Sequence, residues 1–188
     1  MGFMSATRSI CVYCGSSPGR DQTYMAAGRA LGSAMAQAGI RLVYGGGSKG
    51  IMGAVSLAAL EAGGKVTGII PQFLKDREVM LGEASELVVT ADMHERKRIM
   101  FERADAFVAL PGGIGTYDEV LEVIAWRQLR QLRQPIGLLD VGGYFQPWLR
   151  LLEHTVERDF ASAGDIDHLL VETDPVLLVD RLHEALLA

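Results

Sequence analysis

Short apolar, β-branched runs alternate along almost the whole chain with longer segments whose apolar residues recur at helical spacing. That alternation is the strongest constraint on the fold. A chain that returns to a strand after every helix builds a mainly parallel sheet, and such a sheet needs cover on both faces. The first run, residues 9–14, passes into a Gly/Ser/Pro turn and reads as a buried strand. Over residues 21–39, Ala27, Ala30, Leu31, Ala34, Met35 and Ala38 mark one helical face, and Gly39 stands where helices commonly end. The same reading gives strands at 40–44, 65–70, 87–90, 106–110, 136–139 and 169–171, and helices at 51–62, 93–103, 116–129, 147–160 and 175–187. No linker, low-complexity segment or internal repeat divides the chain. It is expected to form one Rossmann-like, doubly wound α/β domain over residues 1–188, with a flexible start over residues 1–7. A ligand then belongs beyond the carboxyl ends of the strands.

With 188 residues, 49% hydrophobic and 22% charged, the chain is long and apolar enough for one sizeable core. Lys and Arg number 18 against 23 Asp and Glu, a net charge of −5, so no general field attracts a polyanion and nucleic acid is not an expected partner. Phosphate recognition must be local. No stretch of about 18 apolar residues is available to span a bilayer, and residues 1–10 lack a signal-peptide pattern, so no membrane partner is expected. Cys11 and Cys14, the two cysteines, cannot build a disulfide framework and suit a reducing cytoplasm. Their spacing in a strand sends the side chains to opposite faces, which argues against a zinc or redox pair. His154, His168 and His183 stand apart without ligand spacing, so no metal is expected.

The chemistry concentrates in two glycine-rich turns and one basic run. Pro111-Gly112-Gly113-Ile114-Gly115-Thr116 lies between a strand and a helix, where glycines let the backbone approach a ligand and the first helical N–H groups are free for a phosphate. The plain structural alternative is a helix capped by Thr116, with Glu119 at capping-box spacing. Gly45-Gly46-Gly47-Ser48-Lys49-Gly50-Ile51-Met52-Gly53 repeats the arrangement after another strand, so two backbone cradles can line one cleft. It fits Gly-x-Gly-x-x-Gly, but after the second strand rather than the first, and Gly50 instead of Ser or Thr follows Lys49. Dinucleotide and P-loop readings are therefore disfavoured. Between the turns, Met93-His94-Glu95-Arg96-Lys97-Arg98 opens a helix with cations, against the macrodipole. A nearby anionic ligand would offset this, and a solvated helix face is the alternative.

Together, Met93-His94-Glu95-Arg96-Lys97 and Pro111-Gly112-Gly113-Ile114-Gly115-Thr116-Tyr117-Asp118-Glu119 resemble the Lonely Guy family of cytokinin-activating enzymes, whose members often carry the older label lysine decarboxylase-like. The resemblance runs from the first strand to at least Trp148 and includes Gly45-Gly46-Gly47 and Gly50-Ile51-Met52-Gly53. It implies a dimeric, cofactor-free phosphoribohydrolase that takes N6-substituted AMP, and often AMP itself, to free base and ribose 5-phosphate. Arg96 and Glu119 fall at the family's catalytic pair, and Asp118 stands where many members have Glu. Breaking an N-glycosidic bond builds positive charge at C1′, so Glu119 can stabilise that state or orient water. Arg96 can help the base depart or hold ribose and phosphate. The nucleotide site is expected to comprise Gly45, Gly46, Met93, Arg96, Lys97, Gly112, Gly113, Ile114, Gly115 and Thr116; Glu78 or Glu83 could reach the base, but exposed loop carboxylates are common and both stand outside this set. His94 reads as structural or ribose-contacting. A pyridoxal site finds no recognisable Schiff-base lysine, Lys49 and Lys97 being the candidates. A non-hydrolytic nucleotide carrier or sensor is the alternative, and the presence of both Arg96 and Glu119 argues against it. The apolar helix carrying Val120, Leu121, Val123, Ile124, Ala125, Trp126 and Leu129 can serve a homodimer interface as well as the core.

Overall fold

The computed structural model describes residues 8–75 and 85–187. Seven strands, β1 (Ser9–Tyr13), β2 (Arg41–Tyr44), β3 (Val66–Pro71), β4 (Glu86–Thr90), β5 (Ala106–Ala109), β6 (Ile136–Leu139) and β7 (Leu169–Glu172), form one sheet in the order β4-β3-β2-β1-β5-β6-β7. Every pairing is parallel. Helices α1 (Gln22–Gln37), α2 (Gly50–Glu61), α3 (Gln72–Lys75), α4 (Met93–Glu102), α5 (Ile114–Gln128), α6 (Gln146–Glu157) and α7 (Pro175–Leu187) complete the described residues. The fold class is the expected Rossmann-like one. Among these residues, no helix is long and apolar enough to cross a membrane.

Strand side chains alternate between two separate cores. Ile10 and Val12 join Leu31, Val55 and Leu178 on the face of α1, α2 and α7, whereas Cys11 and Tyr13 join Met100, Val120 and Trp148 on the face of α4, α5 and α6. Cys14 belongs to the first core and Cys11 to the second, so the two free thiols lie on opposite sides of the sheet. Both faces are apolar because parallel strands are covered twice. The strand order reverses beside β1: the chain leaves β4 at one edge and returns as β5 to pair with β1 on its other side. The loops following β1 and β5 therefore diverge at a switch point, the usual site for a ligand.

Three expectations change. Helix α5 starts at Ile114, with extended Gly113 as its cap, rather than at Thr116. Thr116 is buried instead, its hydroxyl filling the space where a Cβ on Gly112 would come within 2.1 Å, and Glu119 is engaged elsewhere, so no Thr116–Glu119 capping box forms. Helix α6 ends at Glu157, short of residue 160, because Asp159 turns to a left-handed φ of 60°. The short α3 and the 3-10 turns Val141–Gly143 and Ala163–Asp165 lack the repeating apolar pattern by which the longer helices are read. Residues 1–7, Glu78 and Glu83 lie outside the described residues.

Candidate active site

The site is built around one buried ion pair. Asp92 caps α4 by accepting from the Glu95 N–H at 2.8 Å, and the Glu95 carboxylate accepts from the Ala91 N–H at 2.6 Å. This fixed first turn sends Arg96 inward, where its Nη1 donates to Oε1 of Glu119 on α5 at 2.8 Å. The side chains are only 9% and 11% exposed. Arg96 Nε donates to the Ile69 carbonyl of β3 at 3.1 Å, so the guanidinium is held from two directions. Burial raises the Glu119 pKa and the Arg96 charge lowers it, with a net result above the ordinary carboxylate value. The Cys14 thiol nearby is pushed up strongly by burial, which keeps it protonated and a poor nucleophile.

Gly45 has a steric task at this pair. A Cβ there would stand 2.1 Å from Nη2 of Arg96, so glycine leaves the room that the guanidinium fills. Around the pair opens a cleft of about 250 Å³. Of the residues expected from sequence, Gly45, Met93, Arg96, Gly113, Gly115, Thr116 and Glu119 meet along it. Four others lie elsewhere. Gly46, with φ 81°, packs towards Ile70; Gly112 lines a neighbouring hollow; Ile114 is 89% exposed. Lys97 bonds to Asp118 at 2.7 Å and Glu122 at 3.1 Å and, with exposed His94 and Trp126, lines a different hollow between α4 and α5.

Cys14, Gly15 and Ser16 at the end of β1 and Leu74, none of them expected at the site, also line the cleft, as do Met52 of the second glycine turn and Asp118 of the motif. The signal for the first three was the Gly-Ser-Ser turn after the first strand, but only the position of β1 between β2 and β5 brings it to the centre.

The two glycine turns differ in position: Gly113, Gly115 and Thr116 line the cleft, whereas Gly50 and Ile51 at the start of α2 do not. At the start of α2 the Met52 N–H donates to the Gly15 carbonyl at 3.2 Å and the Gly53 N–H to the Lys49 carbonyl at 3.1 Å. Gly50, with φ 58°, packs so tightly on Ser16 that a Cβ would approach its backbone to 2.4 Å. These glycines serve loop packing. At α5 the Thr116 and Tyr117 N–H groups turn back to the Gly113 carbonyl at 3.0 and 3.2 Å, while those of Ile114 and Gly115, like those of Gly50 and Ile51 at α2, have no partner within the helix. The basic run is also answered within the chain: Arg96 by Glu119, Lys97 by Asp118 and Glu122, and Arg98 by Glu102. No ligand is needed to balance it.

A buried Arg–Glu pair beside the open N-terminus of a helix, at the switch point of a Rossmann-like sheet, defines a protein built to hold a small anionic ligand against a carboxylate. Comparison with known proteins is specific. Residues 52–182 match the family model described as "Possible lysine decarboxylase". Rice LOGL6, named a probable cytokinin riboside 5′-monophosphate phosphoribohydrolase, is 44% identical over 178 residues, spanning 95% of this chain and 71% of that protein. Rice LOG is 48% identical over 158 residues (84% and 65%) and Arabidopsis thaliana LOG7 47% identical over 158 residues (84% and 73%); both are named cytokinin riboside 5′-monophosphate phosphoribohydrolases. The chain belongs to this Lonely Guy, or LOG, family. Solved structures of a molybdenum cofactor carrier protein from Chlamydomonas reinhardtii (TM-score 0.71, 21% identity, 97% of this chain and 99% of that one) and a molybdenum cofactor binding protein from Rippkaea orientalis (0.71, 21%, 99% and 100%) share the fold.

Gly45→Ala is expected to displace the Arg96 guanidinium and lower turnover at least about tenfold, the scale of a misplaced catalytic group, while the fold survives. Steady-state kinetics beside a circular dichroism melt checks this, and parent-like turnover would show that the close fit at Gly45 does not matter.

Proposed function

We propose that this chain hydrolyses the N-glycosidic bond of adenosine 5′-monophosphate and its N6-substituted forms, releasing the adenine-type base and ribose 5-phosphate. The observation that carries this reading is the Glu119 carboxylate, buried and oriented by Arg96, in one cleft with Gly113, Gly115 and Thr116 at the start of α5. The names of relatives that are 44 to 48% identical support it.

The phosphate dianion docks at Gly113–Thr116, where helix dipole and N–H groups favour negative charge. Held at that end, the nucleotide presents C1′ to Glu119. As the bond from C1′ to the base nitrogen breaks, its electron pair leaves with the base and positive charge grows on the sugar, next to the carboxylate. Water adds hydroxide to C1′, its proton passes to Glu119, and a proton reaching the departing base completes the balance. Arg96 orients Glu119 and favours its ionised form. With Nε and one Nη1 proton engaged, three of its five N–H donors remain for ribose hydroxyls. A decarboxylase running on pyridoxal phosphate would need a lysine in the cleft, and none lines it among the described residues.

The apolar residues that α5 leaves uncovered, Leu121, Trp126 and Leu129 at 41%, 44% and 67% exposure, support a homodimer packed through this helix, with Val120, Val123 and Ile124 serving the core beneath. Two buried free thiols fit a reducing, cytoplasmic setting.

The purified chain incubated with AMP should release adenine, and its kcat/KM for AMP should far exceed that for adenosine, because phosphate binding positions C1′. Glu119→Gln should lower turnover at least roughly a hundredfold and leave nucleotide binding in place. AMP bound without release of base would favour a carrier instead. Since the Glu119 pKa is raised and the ionised form does the work, activity should rise with pH through that raised value. The acidic limb of kcat/KM should then lie above the ordinary glutamate value of about 4.3 and vanish in Glu119→Gln; a limb at or below that value would remove Glu119 from this role. For the dimer, Leu129→Glu with Trp126→Glu should give a monomer in analytical ultracentrifugation, and an unchanged sedimentation coefficient would place the interface elsewhere.

A further inference from the structure

The peptide joining Gly112 to Gly113 opens α5 with glycine on both sides. Neither residue supplies a Cβ to resist a flip of that peptide plane. Gly112 packs on Thr116 and Gly15, but nothing lies within 4 Å of where a Gly113 Cβ would stand. In a trans peptide the carbonyl and the N–H point in opposite directions, so whatever holds the Gly112 carbonyl also aims the Gly113 N–H. The group that holds it is the hydroxyl of Tyr144, which donates to the Gly112 carbonyl.

We infer that Tyr144 is a positioning residue for the phosphate end of the substrate, acting through the Gly112–Gly113 peptide and not by touching the reacting atoms. This rests on the phosphoribohydrolase reading given above. Tyr144 is itself tightly placed. Asp140, 3% exposed after β6, accepts from the Phe145 N–H at 2.7 Å and from the Gln146 side-chain amide at 2.5 Å. Gly142 and Gly143, with φ of 60° and 75°, take the left-handed turns that bring the next residue back towards β5. The Tyr144 ring then stacks on Tyr117, with centroids 6.3 Å apart and planes 10° apart. Tyr117 directly follows Thr116, so one side chain grips the phosphate segment at both ends, by a hydrogen bond at Gly112 and by stacking at Tyr117. The loop after β6 is thereby tied to a segment whose glycines give it no stiffness of its own.

Tyr144→Phe keeps the ring and the stacking and removes only the hydroxyl. Calorimetric titration with ribose 5-phosphate should show binding weakened about five- to tenfold, the scale of one lost hydrogen bond, while binding of free adenine stays at the parent value and the thermal midpoint falls by no more than the few degrees that one hydrogen bond is worth. In kinetics the KM for AMP should rise by a similar factor with kcat nearly unchanged. Unaltered ribose 5-phosphate affinity, or equal losses for ribose 5-phosphate and adenine, would overturn the inference. The titration reads the phosphate site without catalysis, so a parent protein that binds ribose 5-phosphate yet releases no adenine from AMP would sink the hydrolase reading alone.

Discussion

The buried pairing of Arg96 with Glu119 sets the terms for everything around it. Taking both charges out of water costs more than their attraction alone returns unless further hydrogen bonds and close fit make up the difference. The surroundings supply these: the Ile69 carbonyl takes the Nε proton, and Gly45 gives up its side chain to admit the guanidinium. Such a pair is a poor device for stability when an apolar pair of the same volume would do as well. Its value is chemical, since a desolvated carboxylate held by one cation meets a developing positive charge far more strongly than one in water.

That pair also explains how α4 and α5 share their charges. The cations Arg96, Lys97 and Arg98 sit near the start of α4, where the macrodipole disfavours them, and carboxylates on α5 or further along α4 answer each one. The network leaves the start of α5 and the rest of the Arg96 guanidinium as described parts of the cleft with unspent donors. The start of α5 next to the buried Glu119 carboxylate fits a substrate with phosphate at one end and a labile bond a few ångströms away. The solved carriers with the same fold show that the sheet alone does not choose between holding and hydrolysing a ligand.

Glycine serves three different ends in this molecule, and the sequence shows them as one signal. Gly45 makes room for a side chain, Gly50 lets two loops touch, and Gly113 opens a helix towards solvent. Two turns that read alike as phosphate cradles therefore diverge, because Gly113, Gly115 and Thr116 of one line the cleft while Gly50 of the other is packed on Ser16.

The sequence by itself determined the order of the strands and longer helices, the parallel sheet covered on two faces, and the nomination of Arg96 and Glu119, because hydrophobic period and a contiguous motif are local properties of a chain. It also foretold that Cys11 and Cys14 part to opposite faces, since strand alternation is fixed by covalent geometry. What only the tertiary structure decided were matters of long-range partners. Strand order set β1 between β2 and β5 and so brought Cys14, Gly15 and Ser16 to the cleft. Packing buried Thr116 and moved the start of α5 to Ile114. Contact between α4 and α5 turned Lys97 away from the cleft to Asp118 and Glu122, and the returning loop after β6 carried Tyr144 to Gly112. Each of these joins residues far apart in the chain, and no period or motif encodes a partner that only folding brings near.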